Sequence, residues 1–287
     1  MKNELEQCRL LIERQLDGYL TESRKYDTLL QSMRYSLTGG GKRIRAAICL
    51  KFCEAVCGGM DAALNAACAV EMLHTYSLIH DDLPCVDDDD MRRGKPANHI
   101  KYGECTAVLA GDALQAMAFE TLAKSDLPPD AIVKMVKIFA EAAGPHGICG
   151  GQYLDIFGGV ETLSELTEIH ELKTAALFTA AAKFGVIAAG GSDAQVKAAE
   201  EYARAFGLAF QARDDILDHI STADELGKPT GSDEENDKTT LLTLLGMDKC
   251  EQIIRRETER AIAAVSGKFA NTDFLIWLAK TMAERKY

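Results

Sequence analysis

The chain has 287 residues, 47% hydrophobic and 26% charged, a composition typical of a folded globular protein rather than a disordered one. Forty-four acidic residues against 32 basic ones give a formal net charge of −12, which disfavours nucleic acid and anionic membrane surfaces as partners. No apolar run reaches the ~18 residues of a membrane span, and the opening segment lacks the apolar core of a signal peptide. The sequence therefore predicts a cytoplasmic protein with no membrane span.

Apolar residues recur at helical spacing along most of the chain, and alternating strand-like runs are rare. The sequence therefore predicts an all-α fold. Segments rich in Gly, Pro, Ser or Asp predict the breaks between helices. They lie at 37–42, 126–130, 142–151, 189–193 and 226–237.

Two long helical segments each carry an aspartate pair near the C-terminal end. The first spans roughly 61–82 and should end near Leu83, because Pro84 disfavours helical geometry in the residue before it. The second should begin at Ser192 or Asp193 as a cap and continue to about residue 220. A carboxylate at a helix C-terminus meets the unfavourable end of the helix dipole, at about 0.3–1 kcal/mol each. Because both helices carry carboxylates at this unfavourable end, the sequence indicates that these carboxylates have a function.

In both segments the polar residues share one helical face. The set in the first is His74, Ser77 and Asp81, and that in the second is Gln211, Asp214, Asp215 and Asp218. After Pro84 we expect the loop to return Asp87 toward Asp81 and Asp82. Clustered carboxylates without histidine or thiolate partners suit Mg²⁺, whereas the spacing of a calcium-binding EF-hand is absent.

Basic residues form separate clusters. They are Lys42, Arg43 and Arg45 in GGGKRIR, Arg92, Arg93 and Lys95 in MRRGKP, Lys173 beside Thr174, and Lys228 and Lys238 around an acidic loop. Arginine binds phosphate through two parallel hydrogen bonds, and the glycines before Lys42 permit close backbone approach. The GGGKR stretch does not fit a Walker A loop. These clusters predict phosphate binding without nucleotide hydrolysis.

Nine cysteines, an odd number in a chain without a recognisable secretion signal, predict reduced thiols. Cys49, Cys53 and Cys57 repeat every four residues, which places them on one helical face. A zinc site is the alternative, but no CxxC pair or nearby histidine supports it, so a stripe of small residues is favoured.

These motifs together resemble one enzyme family. DDLPCVDDDDMRRGKP, GGGKRIR, KTAALF and FQARDDILD, in this order and spacing, are similar to the short-chain trans-prenyl diphosphate synthases, and most to the bacterial farnesyl diphosphate synthases. The resemblance covers about residues 37–247. It implies one all-α domain over residues 1–287, a helical bundle around a deep central cavity (the isoprenoid synthase fold), and a homodimer.

The resemblance also implies the reaction: an allylic diphosphate, dimethylallyl or geranyl, joins isopentenyl diphosphate head to tail. Mg²⁺, three ions with substrate bound, would be held by Asp81, Asp87 and Asp214, with Asp82, Asp215 and Asp218 in support. The residues implied to hold the allylic diphosphate or its leaving group are Arg92, Lys173, Thr174, Gln211, Lys228 and Lys238. Those implied to hold isopentenyl diphosphate are Lys42, Arg45, His74 and Arg93. Two departures from the family pattern, Ala46 and Ser232, affect no implied metal ligand.

The product implied is farnesyl diphosphate, with 15 carbons. Tyr76 lies five residues before Asp81, ~7.5 Å along a helix, where its ring would form the floor of the cavity beside Ser77. A geranyl or geranylgeranyl diphosphate synthase remains an alternative. A class I terpene cyclase, or a non-catalytic partner subunit of the same fold, would differ by lacking one aspartate motif, whereas this chain keeps both.

Overall fold

The computed structural model describes residues 1–20, 25–220 and 239–285. Its helices are α1 (Lys2–Tyr19), α2 (Asp27–Leu37), α3 (Ile44–Cys57), α4 (Leu64–Asp81), α5 (Asn98–Tyr102), α6 (Glu104–Ala123), α7 (Pro129–Ala143), α8 (Ile148–Phe157), α9 (Leu163–His170), α10 (Ala176–Ala188), α11 (Asp193–Ile220), α12 (Leu241–Leu245), α13 (Met247–Val265) and α14 (Asp273–Glu284). A 3₁₀ turn (Asp61–Ala63) precedes α4, and a π-turn (Glu171–Ala175) joins α9 to α10. The all-α prediction is confirmed.

A short antiparallel hairpin interrupts the helices, formed by strands β1 (Met91–Arg92) and β2 (Lys95–Pro96). Its two turn residues, Arg93 and Gly94, both have positive φ, 54° and 71°. Such a turn suits the right-handed twist of paired strands. Arg92 and Arg93 are adjacent in sequence, but the turn lets the Arg92 side chain bind Asp82 and the Arg93 side chain bind the Gly40 carbonyl.

The bounds of the two long helices agree with the sequence. α4 ends at Asp81, two residues before the predicted end, and its last turn tightens through the Leu83 N–H, which donates to the His80 carbonyl (3.2 Å). α11 begins at Asp193, and the Ser192 hydroxyl caps it by accepting from the Gln195 N–H (3.3 Å). The predicted breaks at 37–42 and 189–193 separate helices. The break at 126–130 overlaps the first two residues of α7, and that at 142–151 overlaps the end of α7 and the start of α8. The predicted break at 226–237 lies outside the described residues.

The largest part of the core lies among α3, α4, α6, α7, α10 and α11. It combines many fully buried alanines with six large aromatic side chains, Phe52, Phe139, Phe178, Phe184, Tyr202 and Phe206. The alanines let helix backbones approach, and the rings fill the wider spaces between them. A second, smaller cluster joins α9, α11, α12 and α13 around Ile216 and Ile254. No helix among the described residues is long and apolar enough to cross a membrane.

All nine cysteines are free thiols, as predicted. Cys49 and Cys53 are buried on the inner face of α3, whereas Cys57 at the end of the helix is exposed. Desolvation raises the pKa of the Cys53 thiol to about 12, which keeps it protonated and unreactive at neutral pH.

A buried ion pair fixes the start of α3 against α4. The Arg43 guanidinium donates to the Glu71 carboxylate (3.2 Å) and to the Leu37 carbonyl (2.5 Å), and the other Glu71 oxygen accepts from the Ala46 N–H (3.3 Å). Arg43 and Glu71 are 3% and 2% exposed. The pair therefore fixes the glycine-rich loop before α3 in position.

We expect Glu71→Ala to lower the free energy of unfolding by about 3–5 kcal/mol, because the buried Arg43 charge loses its partner at 3.2 Å and keeps Glu13 at 4.0 Å. Urea denaturation measures this. The matched control is Glu120→Ala, which removes a 2.6 Å ion pair to Lys124 on the exposed face of α6; it should change stability by about 0.5 kcal/mol or less. Equal effects of the two substitutions would contradict the role of the buried pair.

Candidate active site

The first aspartate motif lies where α4 ends. The Asp87 N–H donates to the Asp81 carbonyl (2.9 Å), so the loop folds back and returns Asp87 beside Asp81, as predicted. The side-chain amide of Gln152, on α8, lies 3.5 Å from an Asp87 carboxylate oxygen. Two carboxylates and one amide therefore converge at this helix end.

The Asp81 carboxylate is in an environment that disfavours its charge. Desolvation raises its pKa to about 7, the charges of Asp87 and Asp82 act in the same direction, and those of Lys173 and Arg92 oppose them. A cation close to Asp81 would favour the ionised form.

Asp82, the next residue in the motif, is 2% exposed, and its carboxylate contacts Arg92. Both Nε (2.8 Å) and Nη2 of Arg92 donate to its Oδ1, and Nη2 also reaches Asp89 (2.9 Å). Asp82 therefore holds the Arg92 guanidinium at the edge of the motif.

The second aspartate motif lies in the last third of α11. Asp215 is buried, which raises its pKa; its two oxygens accept from the Gln211 amide (3.0 Å) and from the Leu241 N–H (2.9 Å). Asp214 instead forms an ion pair with Arg285, and the Arg285 guanidinium also lies 4.1 Å above the Phe210 ring. Asp218 is buried on the same helix face.

Lys173 and Thr174 lie on the π-turn between the two motifs. Lys173 Nζ donates to Asp155 on α8 (2.6 Å), and the Thr174 hydroxyl donates to the Gln211 side-chain carbonyl (3.0 Å). Lys173 is close enough to lower the pKa of Asp81, and Asp155 is close enough to raise that of Asp215. This ion pair therefore connects the aspartate motif of α4 electrostatically with that of α11.

A basic cluster accompanies the acidic residues. Arg45 lies with Nη1 3.4 Å from His74 Nε2 and its guanidinium 4.2 Å above the Phe178 ring. Burial lowers the pKa of Arg45 to about 10 and, with the neighbouring arginines, lowers that of His74 well below its ordinary value, so the imidazole is neutral. Arg93 donates to the Gly40 carbonyl in the glycine-rich loop.

Lys42 completes this cluster. Partial burial lowers the pKa of its ammonium group, Arg285 lowers it further, and Asp214 opposes them. The four residues predicted to hold isopentenyl diphosphate, namely Lys42, Arg45, His74 and Arg93, therefore lie together beside the second aspartate motif. Lys228 and Lys238, also predicted here, lie outside the described residues.

Tyr76 and Ser77, the predicted determinants of product length, are both buried in α4. The Tyr76 hydroxyl lies 3.2 Å from Cys149 Sγ on α8, and its ring contacts the His80 imidazole edge-on with centroids 5.3 Å apart. The Ser77 hydroxyl donates to the His74 carbonyl of its own helix (2.9 Å). Of the two, the Tyr76 side chain fills space between helices.

Three residues of this site are not predicted from the sequence. Gln152 and Asp155 lie in GGQYLDIF, where only an isolated amide and carboxylate in an otherwise apolar helix could have suggested a role. Arg285 lies 71 residues after Asp214, and its position depends on the packing of α14 against α11, so no local pattern indicates it.

The six motif aspartates offer only carboxylate oxygens, the donors that Mg²⁺ prefers. Within residues 1–20, 25–220 and 239–285, no three His, Cys, Asp or Glu residues are arranged to hold a metal ion by themselves. A magnesium ion here would therefore also need oxygens from water and from a phosphate group. The donor set fits such an ion, whose coordination is usually shared with substrate phosphates.

The polyprenyl synthetase family matches residues 26–273. The chain belongs to the polyprenyl synthetase family. A relative, the chloroplastic geranylgeranyl pyrophosphate synthase of Capsicum annuum, is 46% identical over 263 residues, which cover 89% of this chain and 71% of that protein.

Solved structures of the family share the fold. The geranylgeranyl pyrophosphate synthetase of Pyrococcus horikoshii has a TM-score of 0.89 and 30% identity, with 99% of each chain covered. The FPP/GFPP synthase of Zymomonas mobilis has a TM-score of 0.86 and 34% identity, with 98% of each chain covered. These likenesses confirm the isoprenoid synthase fold and a prenyltransferase of the short-chain family.

In this polyprenyl synthetase, we expect Asp155→Asn to lower kcat/KM about 10- to 100-fold. The neutral amide no longer holds the Lys173 ammonium, and sub-ångström to 1 Å displacements of a positioning group have effects of about this size. Steady-state kinetics measures the change. Asp193→Asn, at a side chain that is 95% exposed in its ion pair with Lys134, is the control. Unchanged kinetics in Asp155→Asn would remove the Lys173–Asp155 pair from the mechanism.

Proposed function

We propose that this protein is a Mg²⁺-dependent trans-prenyltransferase that joins dimethylallyl or geranyl diphosphate to isopentenyl diphosphate, head to tail, and that its product is farnesyl diphosphate. The observation that carries the proposal is the joint arrangement of two aspartate motifs and one basic cluster. The Lys173–Asp155 pair connects the motifs (2.6 Å), and Arg45, His74 and Arg93 lie beside them. Such a site suits two diphosphates rather than one.

The first diphosphate would bind at the acidic motifs. Asp81, Asp87 and Asp214 would hold magnesium, and Asp82, Asp215 and Asp218 would support them. Bound Mg²⁺ neutralises the negative charge that develops on a diphosphate leaving group. Lys173 and Arg92 direct positive charge toward the same group, each already held by a carboxylate.

The second diphosphate would bind at the basic cluster. Arg45 and Arg93 donate charge-assisted hydrogen bonds, and Lys42 adds a further positive charge. His74, which is neutral, orients Arg45 rather than adding charge. Lys228 and Lys238 remain predicted contributors to the allylic diphosphate site.

The bond changes follow from this placement. The allylic carbon–oxygen bond breaks and leaves diphosphate, C1 of the allylic group bonds to C4 of isopentenyl diphosphate, and a proton leaves C2. No dedicated protein base is required, since the released diphosphate can accept this proton. Thr174 and Gln211, which a hydrogen bond holds in place relative to each other (3.0 Å), would lie along the leaving group. Buried apolar side chains beside the site, such as Phe178 beneath the Arg45 guanidinium (4.2 Å), would exclude water, which would otherwise trap the cation.

Tyr76 supports a 15-carbon product. Its ring lies ~7.5 Å along α4 from Asp81, and its hydroxyl lies 3.2 Å from Cys149 Sγ. A prenyl chain that grew along α4 from the first aspartate motif would meet this ring. Geranylgeranyl diphosphate is the second candidate, because the Capsicum annuum and Pyrococcus horikoshii relatives are named as geranylgeranyl pyrophosphate synthases. A geranyl product is a third.

The proposed activity is tested with purified protein, Mg²⁺, labelled isopentenyl diphosphate and either dimethylallyl or geranyl diphosphate. We expect 15-carbon product from both starters and loss of turnover when the metal is chelated. A cyclic hydrocarbon would indicate a terpene cyclase instead. No condensation with either starter would indicate a non-catalytic partner subunit.

Tyr76→Ala should lengthen the product to 20 carbons or more, because removing the ring opens space beneath the reacting chain. Product sizing by chromatography measures this. Tyr202→Phe, which removes only a hydroxyl buried against the Leu275 carbonyl (2.8 Å), is the control for a tyrosine change elsewhere in the core. An unchanged product distribution in Tyr76→Ala would show that another residue sets product length.

We further propose that one domain over residues 1–287 carries the activity and that two copies form a homodimer. Val108 and Leu109 on α6, and Tyr153 and Phe157 on α8, are exposed apolar side chains, up to 69% exposed at Phe157. α4 contacts both helices. His80 Nε2 lies 3.0 Å from the Val108 carbonyl on α6, and the Tyr76 hydroxyl lies 3.2 Å from Cys149 Sγ on α8. An apolar surface of this kind favours burial against a second copy. The predicted cytoplasmic location stays a prediction.

Leu109→Glu should convert the dimer to a monomer, because a carboxylate would be buried in the interface. Sedimentation velocity measures this. Val133→Glu, at an exposed side chain of α7, is the matched control. A protein that is a monomer before substitution, or a dimer unaffected by Leu109→Glu, would contradict this interface.

A further inference from the structure

The π-turn Glu171–Ala175 directs two consecutive side chains to two different helices. Lys173 meets Asp155 on α8 (2.6 Å), and Thr174 meets Gln211 on α11 (3.0 Å). A π-turn contains one more residue than a regular helical turn and is frequent at functional sites. Some feature of the surrounding packing must therefore stabilise it.

Gly151, on α8, lies directly against the backbone of this turn. A Cβ atom at Gly151 would be 2.3 Å from the Lys173 nitrogen and 2.7 Å from the Lys173 Cα. Both distances are below van der Waals contact, and the opposing atoms belong to the backbone, which cannot rotate away as a flexible side chain can. Only glycine permits α8 to approach the turn this closely.

Gly207, on α11, makes the equivalent contact on the other side. A Cβ atom there would be 2.7 Å from the Ala175 Cβ and 2.9 Å from the Ala175 Cα. Gly151 and Gly207 are both buried, so neither contact can relax toward solvent. The π-turn is therefore enclosed between two helices at glycine contacts.

The two glycines share a position relative to the polar residues. Gly151 precedes Asp155 by four residues, and Gly207 precedes Gln211 by four residues, so in each helix the glycine and the polar partner lie on the same face. Close approach at each glycine thus places the polar side chain, one turn later, within hydrogen-bonding distance of Lys173 or Thr174.

We propose that Gly151 and Gly207 are positioning residues for the prenyl transfer. They act by letting α8 and α11 enclose the π-turn, which aims Lys173 and Thr174 at the departing diphosphate. This inference rests on the proposed function of the same site. A methyl group at either glycine separates its helix from the turn and displaces Lys173 and Thr174 relative to the aspartate motifs.

The test compares Gly151→Ala and Gly207→Ala with two glycine controls. Gly18→Ala adds a methyl where no atom lies within 4 Å. Gly191→Ala adds a methyl group 2.5 Å from Val186 Cγ1. Gly191 lies just before α11, ~24 Å from Gly207 along the helix axis, so this variant strains packing at a distance from the π-turn. The measurements are kcat, KM for each substrate, and the melting temperature.

We expect kcat to fall about 10- to 100-fold in Gly151→Ala and Gly207→Ala, since a displacement of about 1 Å can have this effect. KM for isopentenyl diphosphate should stay within about twofold, because Lys173 and Thr174 of the turn bond to Asp155 and Gln211, whereas Arg45 and Arg93 bond to His74 and the Gly40 carbonyl. Gly191→Ala should lower the melting temperature and keep kcat. Loss of kcat in Gly191→Ala as well would attribute the effect to general destabilisation and overturn the proposal.

A compensating substitution keeps the test decisive if the single variants fold poorly. Ala175→Gly removes the atom nearest to the new methyl at position 207, at 2.7 Å, and leaves the Cα of residue 175 at 2.9 Å. Gly207→Ala/Ala175→Gly should therefore recover part of the lost kcat, about threefold or more relative to a folded Gly207→Ala, or recover folding if that variant is unfolded. The proposal is overturned if the double variant folds but has no more activity than Gly207→Ala. It is also overturned if both single variants have wild-type kinetics. Inactivity of the unsubstituted protein toward both starters would instead reject the proposed function.

Discussion

The structure depends on compensating the negative charge of carboxylates that cluster near the ends of two helices, where Asp82, Asp215 and Asp218 are buried. Desolvation and neighbouring aspartates raise the pKa of Asp81 to about 7, and burial also raises that of Asp82. In the described part of the chain, three carboxylates each form an ion pair with a different cation: Asp82 with Arg92, Asp214 with Arg285, and Asp155, between the motifs, with Lys173. These pairs compensate Asp82, Asp214 and Asp155 without substrate, whereas the ionised form of Asp81 remains disfavoured. The same cations are the groups that a diphosphate would attract once metal ions neutralise the aspartates.

The core of the fold supports this arrangement. Fully buried alanines on α3, α4, α10 and α11 bring the helix backbones together. The Arg43–Glu71 pair (3.2 Å) fixes the glycine-rich loop that carries Lys42 and the start of α3, which carries Arg45. The hairpin turn at Arg93 and Gly94 separates the two adjacent arginines. Arg92 serves the acidic motif and Arg93 reaches the glycine-rich loop, where it donates to the Gly40 carbonyl. Two neighbouring residues thereby belong to two different binding regions.

Much of this could be predicted because its causes are local in sequence. The bounds of α4 and α11 follow from periodicity, from Pro84 and from the Ser192 cap, and the return of Asp87 to Asp81 follows from the loop between them. The π-turn could not be predicted, since its residues have ordinary helical preferences and it depends on backbone contact with Gly151 and Gly207 from distant segments. Arg285 and Asp155 depend likewise on tertiary packing. Lys228 and Lys238, predicted from the family pattern, lie outside the described residues.

The most direct measurement of the central claim is a crystal structure with Mn²⁺, as a substitute for Mg²⁺, and a non-hydrolysable allylic diphosphate analogue, in which anomalous scattering locates the metal. We expect manganese at Asp81 and Asp87 and also at Asp214, with one diphosphate bound between the two motifs and Arg285 displaced from the Asp214 carboxylate. Metal at only one of the two motifs, or a diphosphate bound away from both, would contradict the claim.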